Sequence, residues 1–250
     1  MSGRFALAQI SDPHVRADTD APARALKRAM EGARAYGADA IMLTGDLVND
    51  ERPDEYAVLA ETLRDPPAPL YLLPGNHDDR ALMRDHFPGK GAASASHLSY
   101  VVDRFPVRLV ALDQIVPGET HGRFTEELAG WLDTILSAER DKLTLVALHH
   151  PPFATYDRLF DEIGLHDQER FADVIARHPQ VKRIICGHHH RVVLGQVAHA
   201  PTIVAPSTSW AYGLSLNENQ PIAPKTDEQP GWMLHVWTEA AGFASHFMGL

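Results

Sequence analysis

Cysteine is almost absent from this chain. Cys186 is alone among 250 residues, so no disulfide can close within the chain. It ends an apolar run just before Gly187, where a buried, inert thiol is expected. Long apolar runs are also missing, and no stretch approaches the ~20 residues of a membrane span. The N-terminus enters a strand almost at once and lacks the charged-then-apolar pattern of a secretory leader. A cytoplasmic location is therefore expected. Basic residues are in deficit, with 23 Lys and Arg against 33 Asp and Glu and a net charge of −10. No basic stripe offsets that balance, so neither a nucleic-acid polymer nor an anionic membrane is an expected partner. Internal repeats, low-complexity tracts and a clear domain linker are lacking, so the chain reads as one domain.

What the chain has in excess is histidine, fifteen in all. Histidine is the commonest metal ligand, and here its placement follows the predicted elements. Apolar runs at Phe5–Ile10, Ala40–Thr44, Leu70–Leu73, 143–148 and Val181–Cys186 read as strands. Helical spacing predicts helices over 22–36, with Ala25, Leu26, Ala29, Met30 and Ala33 on one face, and over 53–64. This βαβαβ order predicts parallel pairing. A short helix around 80–86 leads into a Gly/Ala/Ser-rich loop, followed by strands at 98–102 and 107–112. Further helices are expected at 125–136, with Thr125 as N-cap, and at 167–177. Short strands then dominate at 192–197, 202–204, 232–237 and 243–247, and the region from about 192 to 250 is expected to form a second, more antiparallel sheet. Residues 215–230 read as a long polar loop of the kind that is functional or disordered.

Five short segments follow these strands: Asp12-Pro13-His14, Gly45-Asp46, Gly75-Asn76-His77-Asp78, His149-His150-Pro151-Pro152 and Gly187-His188-His189-His190. Asp113 is a weaker sixth. Each alone is ordinarily a turn or loop end. Together they gather at the carboxyl ends of strands, where open α/β sheets bind ligands. Asp12 and His14 are two apart, so an extended backbone would point both the same way. Asp46 has two oxygens and could bridge two ions, and Asn76 offers a neutral amide oxygen. The pattern is that of a site for two metal ions. Two divalent cations would outweigh the charge of Asp12 and Asp46, so a phosphodiester anion would still be attracted.

With these residues in place, the sequence resembles the calcineurin-like metallophosphoesterases over about residues 5–210. The series D-x-H, G-D, G-N-H-D, H and G-H-x-H is complete and in order. Asp46-Leu47-Val48-Asn49, 52–56 (RPDEY), 70–79 (LYLLPGNHDD) and His149-His150-Pro151-Pro152 look closest to bacterial class III cyclic-nucleotide phosphodiesterases and glycerophosphodiesterases. The resemblance implies a four-layer α/β/β/α sandwich with two mixed sheets. It implies that one metal takes Asp12, His14, Asp46 and His190, and the other Asp46, Asn76, His149 and His188. His77 would contact the phosphate and protonate the leaving alkoxide, with Asp78 orienting its ring. His150 and His189 would not be ligands, and Asp113 would be structural.

The expected activity is hydrolysis of small phosphodiesters by a metal-activated water, with 3′,5′-cyclic nucleotides as leading substrates and glycerophosphodiesters as the alternative. A non-catalytic scaffold is the reading of another class. The two ions, divalent or mixed-valence, could be Fe, Mn, Zn or Co. The partners expected are a small phosphodiester and further copies of the chain, in a dimer or larger assembly. Trp210 and Tyr212 could stack a base or fill core.

Overall fold

Every residue of the strand Phe5–Ile10 (β1) is buried, as expected for a strand covered on both faces. The computed structural model describes residues 3–88 and 96–250, so part of the expected Gly/Ala/Ser-rich loop lies outside the described residues. After β1 come α1 (Ala21–Ala35), β2 (Ala40–Thr44), α2 (Pro53–Thr62), β3 (Leu70–Leu73) and α3 (Arg80–His86). The middle of the chain gives β4 (Tyr100–Val102), β5 (Arg108–Leu112), β6 (Gly122–Arg123), α4 (Glu126–Ala138) and β7 (Thr144–Leu148). Then follow α5 (Arg158–Glu162), β8 (Leu165–His166), α6 (Gln168–Ala176), β9 (Val181–Cys186), β10 (Val193–Val197) and β11 (Ala200–Val204). The last elements are β12 (Ala211–Tyr212), β13 (Lys225–Thr226), β14 (Gly231–Thr238) and β15 (Gly242–Gly249).

Two sheets carry the fold, in the orders β15-β14-β1-β2-β3 and β10-β11-β9-β7-β5-β4. The pairs β1–β2 and β2–β3 are parallel, as the alternating pattern predicts. In the second sheet β5, β7, β9 and β11 are parallel, with antiparallel edges at β4 and β10. One expectation is corrected here. The terminal region does not build the second sheet by itself, because β14 and β15 return to the first sheet and β14 pairs antiparallel with β1. Alternation in a sequence reveals which face of a strand is buried and does not name its partner.

Alternation places the layers. Phe5 and Leu7 of β1, Ala40 and Met42 of β2, and Leu73 of β3 meet Leu109, Ala111, Leu145, Ala147 and Ile185 of the second sheet. The opposite face of the first sheet packs on Leu26, Ala29 and Met30 of α1 and on Tyr56 and Leu59 of α2. The outer face of the second sheet packs on Leu128 and Leu132 of α4 and on Phe171 and Val174 of α6. The result is the four-layer α/β/β/α sandwich. Truncating a fully buried leucine such as Leu26 to alanine would cost about 2–5 kcal/mol.

Local signals start and stop the helices. Thr125 caps α4, its hydroxyl accepting the Leu128 N–H at 3.2 Å, and Asp79 caps α3 through Leu82 at 2.8 Å. Pro22 opens α1, and Gly37 just past its end has φ +64°. Cys186 is a free, buried thiol, raised by burial well above its usual range. Among the described residues no helix is long and apolar enough to cross a membrane.

Candidate metal centre

The carboxyl ends of β1, β2, β3, β7 and β9 lead directly into the five histidine- and aspartate-bearing segments. Five of the candidate donors have left-handed backbone: Asp12 (φ 50°), His14 (45°), Asp46 (50°), His188 (71°) and His190 (59°). Non-glycine residues rarely adopt this region, and it concentrates at functional sites. The extended Asp12-x-His14 backbone assumed from spacing is therefore not what aims these side chains. They reach a common point because the chain turns at each of them.

One group comprises Asp12, His14, Asp46 and His190, one donor atom from each lying within 4.8 Å of the others. His14 Nε2 stands 3.0 Å from His190 Nε2 and 3.6 Å from Asp46 Oδ2. His190 Nε2 is 3.5 Å from Asp12 Oδ1. A second group contains His149, His150 and His188. The other Asp46 oxygen, Oδ1, is 3.2 Å from His149 Nε2. Asp46 thus presents one oxygen to each group.

Among the described residues three buried atoms have no hydrogen-bond partner: His149 Nε2 and His188 Nε2 of the second group, and Asn76 Oδ1. Buried polar atoms are ordinarily satisfied, and three orphans with lone pairs call for a cation. Hydrogen bonds at the far ring nitrogens hold the lone pairs inward. His149 Nδ1 donates to the Thr44 carbonyl at 2.7 Å, and His190 Nδ1 donates to the Trp210 carbonyl at 3.1 Å. Such contacts fix tautomer and ring angle in metal sites. The Asp12 carboxylate is oriented by the His188 N–H, at 3.0 and 3.1 Å.

Protonation also fits a cation. Burial lowers His14 to about 4 and holds His188 and His190 well below the usual range, leaving neutral imidazoles. Burial raises Asp46, but His149, His14 and His77 outweigh it and keep this carboxyl well below the ordinary range. His149 differs: burial opposes its protonation, yet Asp46 beside it prevails and pushes it up to about 9, so this ring would have to give up a proton to bind an ion. The donor set is therefore suited to two ions, one at each group.

Close packing of backbone on these donors explains the glycines. Gly45 has φ +95°, and a Cβ there would lie 2.4 Å from His149 Nδ1. At Gly75 a Cβ would lie 2.2 Å from Asp46 Oδ1.

His150 falls in the second group by distance, but both its ring nitrogens are occupied. Nδ1 lies 2.8 Å from the Gln114 side-chain amide, and Nε2 donates to the Thr120 carbonyl at 3.0 Å. His189 turns away and stacks on Phe160 of α5, centroids 4.3 Å apart. Asp113 accepts both Arg80 nitrogens at 2.6 and 2.8 Å and the Leu98 N–H at 2.7 Å, which is a structural role.

The expected His77–Asp78 pair requires a correction. His77 Nδ1 donates to the Asn49 carbonyl at 2.7 Å. The Asp78 carboxylate is buried beneath and accepts the N–H groups of Leu47 and Gly75 and the Tyr56 hydroxyl. A carboxylate saturated with those donors shapes the loop and does not hold the imidazole. Asn49 acts through its backbone carbonyl, which carries no sequence signal.

Phe160 is a second residue that spacing did not reveal. It lies against His188 and His189, and Tyr212 is near it, at centroid distances of 5.5, 4.3 and 5.9 Å. Its helix has five residues, too few for a periodic pattern, although Asp157 caps it through the Leu159 N–H at 3.2 Å. Trp210 packs on the rings of His14 and His190, at 4.6 and 5.2 Å.

The family profile of the calcineurin-like phosphoesterases matches residues 5–192. A probable glycerophosphodiester phosphodiesterase GpdQ of Arcobacter nitrofigilis is 32% identical over 210 residues, which is 83% of this chain and 77% of that protein. A probable cyclic nucleotide phosphodiesterase of Rhodococcus erythropolis is 33% identical over 222 residues, 84% of this chain and 73% of the relative. Among solved structures, a dimetal phosphatase from Danio rerio shares the fold with a TM-score of 0.76 and 16% identity, over 98% of this chain and 96% of that one. On the profile match and the shared identity, the chain belongs to the calcineurin-like phosphoesterase family.

Proposed function

We propose that this protein hydrolyses small phosphodiesters at the centre around Asp46, with 3′,5′-cyclic nucleotides as the leading substrates. The observation that carries the reading is Asp46 itself, placed with one oxygen toward His14 at 3.6 Å and the other toward His149 at 3.2 Å. One ion would be held by Asp12, His14, Asp46 and His190, and the other by Asp46, Asn76, His149 and His188. Mixed oxygen and nitrogen donors of this kind suit Fe, Mn, Zn or Co. Bound there, two ions supply Lewis-acid stabilisation of the phosphoryl oxygens and water of lowered pKa.

The chain's own residues supply the rest. The Asn49 carbonyl accepts a hydrogen bond from His77 Nδ1–H, so Nε2 is the nitrogen that exchanges a proton with substrate. Burial works against the imidazolium, but Asp46 and the Asn49 carbonyl more than offset it and raise His77 above the ordinary histidine value. A general acid is most effective with a pKa near the working pH, and protonated His77 is available to the leaving alkoxide. Asp78 keeps the preceding turn in place.

The relatives support both substrate classes at similar identity, since GpdQ and cyclic-nucleotide phosphodiesterases stand side by side. Glycerophosphodiesters are therefore the second reading. A scaffold without catalysis is disfavoured by the complete donor set. A cytoplasmic location and a homo-oligomer belong to the same proposal, the oligomer supported by Leu216 and Ile222, apolar residues 54% and 58% exposed on one loop. Light scattering tests the assembly.

The deciding experiment assays Mn²⁺-reconstituted protein on bis-p-nitrophenyl phosphate and p-nitrophenyl phosphate, beside 3′,5′-cAMP and glycerophosphodiesters. Chelator-sensitive cleavage of the diester well above the monoester is expected. Preference for the monoester would make it a phosphatase, and inactivity with metals bound would revive the scaffold.

A further inference from the structure

A polar line crosses the apolar layer between the sheets. Gln9, Thr44 and His235 are each fully buried, on β1, β2 and β14. Gln9 continues the inward alternation of Phe5 and Leu7, and Thr44 that of Ala40 and Met42. The bonds have one consistent direction. The Gln9 amide nitrogen donates to the Cys186 carbonyl at 2.7 Å and to Thr44 Oγ1 at 3.0 Å. The amide oxygen therefore accepts from His235 Nε2 at 2.9 Å, and His235 Nδ1 accepts from the Ser245 hydroxyl of β15 at 2.7 Å. Thr44 Oγ1–H donates to Ser11 Oγ at 2.8 Å.

Two of the positions these bonds select, Thr44 and Cys186, are the last residues of donor-bearing strands, and the third, Ser11, lies one residue past β1. Thr44 precedes Gly45-Asp46, and its carbonyl receives His149. Cys186 precedes Gly187-His188, and Ser11 precedes Asp12. Each candidate ion pocket draws on both sheets. Asp12, His14, Asp46 and Asn76 follow strands of the first, and His149, His188 and His190 follow strands of the second. Apolar layers attract without direction, so they do not by themselves hold two sheets in register at atomic precision. A Gln9 amide bonded simultaneously to β2 and β9 does.

Stability alone does not call for this arrangement, because replacing a buried hydrogen-bonded pair by apolar groups of like shape is nearly neutral. We infer that Gln9, oriented by His235, is a positioning residue that registers the two sheets for metal binding, touching no ion itself. The inference rests on the metal-holding reading above.

The test is Co²⁺ titration of the metal-stripped full chain, followed by the visible spectrum of the bound ion and by the thermal midpoint without metal. Gln9→Met leaves the His235 Nε2–H without its acceptor and should lower the thermal midpoint by several degrees, yet remain folded and bind Co²⁺ roughly tenfold or more weakly with altered bands. Should that variant fail to fold, Gln9→Met/His235→Leu removes both polar partners and is read in the same way. Wild-type affinity and spectrum in either folded variant would overturn the inference. Fewer than two Co²⁺ per wild-type chain would overturn the dinuclear reading and this inference with it, whereas two in wild type with weaker uptake in the variant sustains both.

Discussion

His77 Nδ1 donates to the carbonyl of Asn49 at 2.7 Å, and this contact, not the neighbouring Asp78 carboxylate, sets the ring. The proton available for transfer is the one on Nε2. His77→Ala should retain two ions per chain and lose about 100-fold or more in diester turnover, with metal analysis and kinetics on one preparation. Full turnover in the metal-replete variant would remove its role as acid. Substrates whose leaving group needs no protonation, such as p-nitrophenolate, should be less affected.

Asn76 has a buried amide oxygen with no hydrogen-bond partner among the described residues. Asn76→Ala should weaken one ion selectively, leaving the first equivalent bound at near wild-type affinity. Isothermal titration resolves the two events, and an unchanged second affinity would dismiss Asn76 as a ligand.

The proton on His149 gives a pH dependence with a definite sign. Without metal this imidazole is held up to about 9 by Asp46 against the effect of burial. Below that pH an incoming ion must displace a proton, so metal uptake near neutral pH releases protons. Apparent affinity should rise with pH until about 9 and then flatten. Titrations in buffers of different ionisation enthalpy measure the release directly, and buffer-independent heats would contradict it.

Gly75 packs against Asp46 so closely that a Cβ would fall 2.2 Å from its Oδ1 and 2.4 Å from its backbone nitrogen. Gly75→Ala should cost more than about 2 kcal/mol and displace Asp46 from both groups. A drop in thermal midpoint together with loss of both ions is expected. Unchanged metal content would show that the turn can shift without moving Asp46.

Much of this arrangement is legible in the sequence, because strand ends and donors are both local features. The apolar run of β1 followed by Asp12, and that of β9 followed by His188, mark the site without any knowledge of pairing. The sheet joined by β14 and β15 is not legible, since partner choice depends on contacts between distant segments. Nor is the left-handed turn at Asp12 and His14, where aspartate and histidine merely tolerate a conformation that the fold imposes. Asn49 acts through its carbonyl, which every residue has. Gln9 and His235 did leave a trace, each being one polar residue within a run that is otherwise apolar.

The torsions at Asp12, His14, Asp46, His188 and His190 have a consequence for how such a centre is filled. Donors aimed by backbone need no ion to find their direction. A frame set by backbone torsions would let one ion leave and another enter without refolding. Occupancy would then follow supply, and the same protein grown on different metals would carry different pairs in an unchanged frame.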